Sequence, residues 1–142
     1  MFEVSNHERG TAYASRIADP AKVMAGKMGS CQVFSITAAE RATGVRSQDE
    51  LLWNRRGHAQ FVAFAPFEAP RDAVTFVEEH GGGGSTVAAP IARDTMLFAR
   101  HGGLPLDAYY PTAQRGRVRN RLALLSARML PSHAAQGEAT KT

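Results

Sequence analysis

Cysteine is almost missing: Cys31 is the single one among 142 residues. That excludes an internal disulfide and any cysteine-based metal cluster. Long apolar runs are missing too, and none reaches the ~18 residues that a membrane helix needs. The opening MFEVSNHERG has neither a basic n-region nor an apolar h-region. No secretory signal is read there, and the chain as written is expected to stay in the cytoplasm. His7, His58, His80, His101 and His133 form no His-x-x-x-His pair. With neither histidine nor cysteine in a ligand pattern, no metal site and no cofactor are expected.

What is present is ordinary globular material, 44% apolar and 21% charged, of a length that suits one domain. The net charge of +4 is uneven. Residues 1–99 hold 10 Lys+Arg against 11 Asp+Glu, and residues 100–142 hold 7 against 2. The basic character therefore belongs to the C-terminal segment.

Residues 1–20 are polar and turn-rich, with a break at Asp19-Pro20. A first strand is predicted within 22–36, where Gly26 and Gly29 mark places at which another backbone or a ligand comes close. A charged connection follows over 37–57. Thr37 with Glu40 can cap a helical turn there, and Trp53 is expected to pack the connection onto the body. HAQFVAFAP (58–66) is apolar on both faces, which suits a central strand in a covered sheet. DAVTFVEEH (72–80) follows after a short turn, so the two strands are antiparallel.

Residues 86–100 read as a helix capped by Ser85 or Thr86, with Pro90 in its first turn and Val87, Ile91, Thr95 and Phe98 on one face. A second helix over 117–130 carries Val118, Leu122, Leu125 and Met129 on one side and is stopped by Pro131. The last ten residues read as disordered. The order strand, strand, strand, helix predicts an α+β layout: three antiparallel strands with helices against one sheet.

Four glycines precede the helix at 81–84. They could cradle a phosphate, but no lysine follows Gly84 and the sheet is not parallel, so a structural tight turn is the favoured reading. Arg115, Arg117, Arg119 and Arg121 alternate with other residues, but no aromatic is interleaved. A solvated surface is favoured and no nucleic-acid partner is expected. Lys27, in the stretch GKMGSCQV, reads equally well as a solvent-exposed residue or as a cation at the rim of a site.

GKMGSCQV resembles the Lys-Thr-Gly-Thr strand of the penicillin-recognising transpeptidases. RGTAYASRI before it, and the Phe-Ala-Pro strand end, EHGGGG and AAPIARD after it, resemble the C-terminal part of class B penicillin-binding proteins of the elongation type. The resemblance covers residues 8–100, and residues 101–142 stand as a basic, partly helical or disordered tail. It implies a membrane-anchored periplasmic D,D-transpeptidase that cross-links peptidoglycan and maintains cell shape. In that family a serine attacks a D-Ala-D-Ala stem peptide, and β-lactams acylate the same serine.

The resemblance implies that Lys27 supports the substrate carboxylate and proton transfers. It implies that Gly29 leaves room for the ligand backbone, that the Ser30 N–H is one oxyanion donor, and that the Ser30 hydroxyl binds the carboxylate. Met28 stands where the family has threonine. Strand alternation sets it on the same side as Ser30, expected to be the ligand groove, where it offers bulk and no hydroxyl.

The nucleophile motif Ser-x-x-Lys is missing: Asp19, Met24 and Glu138 precede Lys22, Lys27 and Lys141 by three. Ser-x-Asn is missing as well, since Val4, Leu52 and Val118 precede Asn6, Asn54 and Asn120 by two. The chain is thus expected to carry the substrate-binding strand, for a stem peptide or β-lactam, without catalysing on its own. No membrane anchor is read in it. The alternative is a small non-catalytic interaction domain that uses its sheet edge or its basic tail. With no alternating N-terminal strand to cover it, the 72–80 edge is expected to stay open and to self-associate.

Overall fold

The computed structural model describes residues 1–129. The predicted disorder of the last ten residues and the stop at Pro131 lie outside them. The chain starts with a short helix, α1 (Phe2–Asn6), followed by two 3-10 turns at Tyr13–Ser15 and Pro20–Lys22. Asp19 caps the second turn by accepting from the Ala21 N–H at 3.0 Å, and Lys22 closes on the same carboxylate at 2.7 Å. The Lys22 ammonium holds the Asp19 carboxyl below its usual range. Residues 1–15 form no strand.

Strands β1 (Ala25–Cys31), β2 (His58–Ala65) and β3 (Asp72–Glu78) make one antiparallel sheet in the order β1-β2-β3. Between β1 and β2 lies α2 (Ala38–Thr43). Its capping box is the one the sequence predicts: Thr37 Oγ1 accepts from the Glu40 N–H at 3.2 Å, and Glu40 accepts from the Thr37 N–H at 2.8 Å. The bonds that the Thr37 N–H and hydroxyl donate to its carboxylate lower the Glu40 pKa. After β3, a wide helical turn at Gly84–Ala88 leads into α3 (Ala89–His101), which Gly102 ends in the left-handed conformation at φ 71°. The last described helix is α4 (Thr112–Met129).

The core lies on one face of the sheet. Ala59, Phe61, Ala63 and Ala65 of β2 turn inward, as the period-2 alternation of a strand requires, and meet Ala88, Ala89, Ala92, Met96 and Leu97. Among the described residues the sheet is not covered on both faces as the apolar run of β2 predicts. Val62, on the other face, is 41% exposed.

The face predicted for the first helix is also rotated. Phe98 is 47% exposed and Thr95 is exposed, whereas Ala89, Ala92, Met96 and Leu97 are buried. Ala88, Ala89 and Ala92 let the helix start lie close over Phe61, Met96 and Leu97 fill the rest of the buried face, and Thr95 and Phe98 are turned outward. Nor does Ser85 or Thr86 cap it: Thr86 Oγ1 donates to the Gly83 carbonyl at 3.3 Å, and no side chain accepts from the helix N–H groups. The second helix begins at Thr112, five residues before the predicted start.

The packed core does not stop at residue 100. Tyr110 is among the largest fully buried side chains, at 2% exposure, and burial pushes its hydroxyl pKa up. Arg93, 5% exposed, reaches across to it. The guanidinium lies 4.5 Å from the Tyr110 ring centre and bonds Asp94 at 2.9 Å and Gln114 Oε1 at 3.0 Å. Gln114 in turn donates to the Ala14 carbonyl at 2.6 Å, and the Ala18 N–H donates to the Tyr109 carbonyl at 2.8 Å. Residues 107–114 are stitched to both the N-terminal turns and α3. The core therefore runs past residue 100, where the charge step falls.

Candidate functional site

β1 is an edge strand: β2 pairs with one side of it, and no strand pairs with the other among the described residues. Its register sets Met28 opposite Phe61 and Ser30 opposite Ala59, with Lys27 opposite Val62 and Gly29 opposite Gln60. Opposed residues of an antiparallel pair share a face. Met28 and Ser30 thus share a side, as expected, but it is the side that α3 covers. Lys27 and Gly29 face the other way.

The expectation that Met28 fills a ligand groove is therefore corrected. Its side chain is half-buried against the core, its sulfur accepts from the Thr11 hydroxyl at 3.0 Å, and its Cβ lies beside Gly84. Lys27 is exposed, and its Nζ donates to the Met28 carbonyl at 3.0 Å. Ser30 is exposed, and its hydroxyl donates to the Gly82 carbonyl at 3.3 Å. The strand brings the four residues into one edge, but it does not bring the Lys27 ammonium and the Ser30 hydroxyl onto one face.

The glycine run supports this edge from behind. Gly82 adopts φ 81°, and its N–H donates to the Gly57 carbonyl at 2.8 Å. A Cβ on Gly84 would stand 2.5 Å from the Gly29 carbonyl oxygen and 2.6 Å from that of Gln60. The absence of side chains lets the start of α3 rest directly on the backbones of β1 and β2. This is the structural turn predicted, with a role the sequence did not disclose: it fixes the backbone at Gly29 and Ser30.

Beyond Ser30 the connection to β2 folds over the strand end. A cavity of about 150 Å³ opens there between Ser30, Cys31, Phe34, Ile36, Val45 and Leu51. Trp53 does not pack down as predicted. It is 64% exposed, with its ring 4.5 Å from that of His80. His58 and His80 are strand-end residues. The His80 N–H donates to His58 Nδ1 at 3.0 Å, and His80 Nδ1 donates to the Arg56 carbonyl at 3.1 Å. No group of three or more His, Cys, Asp or Glu side chains is placed to hold a metal among the described residues. On α4, Arg119 pairs with Asp107 at 2.6 Å and Arg115 donates to the Tyr110 carbonyl at 3.0 Å. No helix among the described residues is long and apolar enough to cross a membrane.

Three antiparallel strands with helices on one face, led by an edge strand reading Lys-x-Gly-Ser, define the C-terminal part of a penicillin-recognising transpeptidase domain. No family model matches the chain. Its sequence is 38% identical over 105 residues to the peptidoglycan D,D-transpeptidase MrdA of Haemophilus influenzae, and 36% identical over 110 residues to that of Escherichia coli K12. These matches take in 74% and 75% of this chain but only 15% and 17% of those proteins. Its fold matches penicillin-binding protein PBP2 of Helicobacter pylori, solved in complex with MreC, with a TM-score of 0.53 and 31% identity over 72% of this chain and 16% of that one. The chain carries the C-terminal part of a transpeptidase domain of the penicillin-binding protein 2 family.

Proposed function

We propose that this chain supplies the substrate-binding strand of a peptidoglycan D,D-transpeptidase and does not complete the reaction by itself. The free edge of β1 is the observation that supports this reading, because its unpaired N–H and C=O groups suit an extended peptide laid alongside. Lys27 at the rim attracts the stem-peptide carboxylate. The Gly29 position admits the ligand backbone, and the Ser30 N–H is one donor to the oxyanion that forms at the attacked carbonyl. One such donor is typically worth ~10²–10³ in rate. Met28 contributes its backbone alone, since its side chain is committed to the core. Because peptidoglycan lies outside the cytoplasmic membrane, a chain in this role works there.

The test has two arms. A fluorescent penicillin is expected to leave the purified chain unlabelled, because the sequence holds no Ser-x-x-Lys. A saturable covalent adduct on any serine overturns the non-catalytic part. An acylated D-Ala-D-Ala dipeptide is expected to shift the Gly29 and Ser30 amide resonances of isotope-labelled chain, and the Lys27→Ala variant is expected to lose that response. Resonances that do not move at saturating dipeptide remove the substrate-binding role.

A further inference from the structure

A single side chain ties the connection before β2 to the end of β1. Gln48 opens the 3-10 turn Gln48–Glu50, where the Ser47 N–H and hydroxyl donate to the Glu50 carboxylate at 2.7 and 3.0 Å. From that turn the Gln48 side chain lies between two glycines. Its Oε1 accepts from the Gly57 N–H at 2.8 Å, and a Cβ on Gly82 would stand 3.2 Å from the Gln48 Cβ.

The two glycines lead to Ser30. The Ser30 hydroxyl donates to the Gly82 carbonyl at 3.3 Å, the Gly82 N–H donates to the Gly57 carbonyl at 2.8 Å, and the Gly57 N–H donates to Gln48. Gly57 also lies against β1 itself, since a Cβ there would stand 2.9 Å from the Cys31 carbonyl oxygen. The β1–β2 ladder stops one residue after Ser30, at Cys31 opposite His58, and a ladder frays first at its end. Gly82, at φ 81°, has no side chain to hold it in place. Where strand pairing gives out, a restraint on Ser30 passes through one carboxamide oxygen.

We propose that Gln48 is a positioning residue of the substrate-binding strand: through Gly57 and Gly82 it fixes the backbone of Ser30, whose N–H is to meet the developing oxyanion. The proposal rests on the reading of β1 as that strand. Every contact in the run lies between residues 30 and 82.

Two variants separate position from stability. Gln48→Leu keeps the stem and removes the acceptor, and Gln48→Glu keeps an acceptor oxygen at the same reach. Asp49→Ala, at the exposed neighbour, is the control. In the isotope-labelled full chain without ligand, Gln48→Leu is expected to speed amide hydrogen exchange at Gly57 and Gly82 about fivefold, as the loss of one hydrogen bond implies, and to move the Ser30 amide resonance. Gln48→Glu and Asp49→Ala are expected to do neither. An acylated D-Ala-D-Ala dipeptide, read at the Gly29 amide, is expected to bind the Gln48→Leu chain about fivefold more weakly and the Gln48→Glu chain as it binds the parent. A role in stability alone would lower the urea midpoint and leave the Ser30 resonance and the dipeptide affinity of the folded chain unchanged, and that result overturns the proposal. So do the same changes in Asp49→Ala, or a Gln48→Glu chain that behaves like Gln48→Leu. A parent chain that ignores the dipeptide fails the substrate-binding reading, and the ligand-free exchange and Ser30 shift then still decide whether Gln48 holds Ser30.

Discussion

A single methyl group probes how the glycine run holds the candidate site. The three nearest atoms to a Cβ on Gly84 are the Gly29 and Gln60 carbonyl oxygens and the Met28 Cβ, at 2.5, 2.6 and 2.9 Å. None is the far end of a flexible side chain, so the start of α3 must lift away from the sheet. Gly84→Ala is expected to destabilise the chain by about 1–3 kcal/mol, the usual range for overpacking, and to move the Gly29 and Ser30 amide resonances. Gly103, where an added Cβ meets nothing within 4 Å, is the control. Alanine there is expected to change stability by less than about 0.5 kcal/mol. Equal urea midpoints for the two variants would show that the glycine run does not bear on β1. The role of Ser30 is what the family resemblance implies; reading the residues alone singles out Lys27 and Gly29, because lysine and glycine are conspicuous in a strand. It could not show which way Met28 turns. Alternation pairs Met28 with Ser30 correctly, but only the packed helix shows that their shared side is the core.

The elements were legible where local chemistry decides them. Antiparallel pairing follows from the short turn between β2 and β3, and the Thr37–Glu40 box starts α2 where its spacing says. The phase of α3 was not legible, because the eye follows bulky residues. Val87, Ile91, Thr95 and Phe98 repeat at helical spacing, but the sheet below them carries Phe61 and accepts only alanines at the closest approach. Two substitutions separate these phases. Ala92→Leu forces three more heavy atoms into a fully buried site and is expected to cost about 1–3 kcal/mol. Phe98→Ser removes a half-exposed ring and is expected to cost about 1 kcal/mol, since only about half of that side chain leaves water on folding. Thermal unfolding of the two variants gives the order, and the reverse order would restore the predicted phase. Arg93 could not be read from the sequence either. A buried guanidinium needs partners, and its partners Tyr110 and Gln114 lie 17 and 21 residues away, beyond the end of α3.

At the scale of the whole chain, that distance decides where the folding unit ends. The charge step near residue 100, with the resemblance read over residues 8–100, predicts that residues 101–142 can be removed at little cost. The contacts argue otherwise. Removing them takes Tyr110 out of the core and Gln114 off the Arg93 guanidinium, which leaves a charged group inside with part of its hydrogen bonding unmet. Losing a buried aromatic costs about 3–5 kcal/mol, and an uncompensated buried charge adds to that. Small single domains are stable by only about 5–15 kcal/mol, so a chain of residues 1–100 is expected to lose cooperative unfolding altogether. A chain of residues 1–119 keeps Tyr110, Gln114, Val118 and the Arg119–Asp107 pair. It gives up from α4 mainly Leu122, half-buried, and Leu124 and Leu125, exposed. It is expected to unfold cooperatively, within about 2 kcal/mol of the full chain. Urea titration followed by circular dichroism and by Trp53 fluorescence compares the three lengths. A cooperative transition in the 1–100 chain at the full chain's midpoint would place the boundary where the sequence resemblance puts it, and would make the Tyr110–Arg93 contact an ornament of the surface. Its loss there, with recovery at 119, would show that the segment after the last family motif completes the core that holds the substrate-binding strand in place.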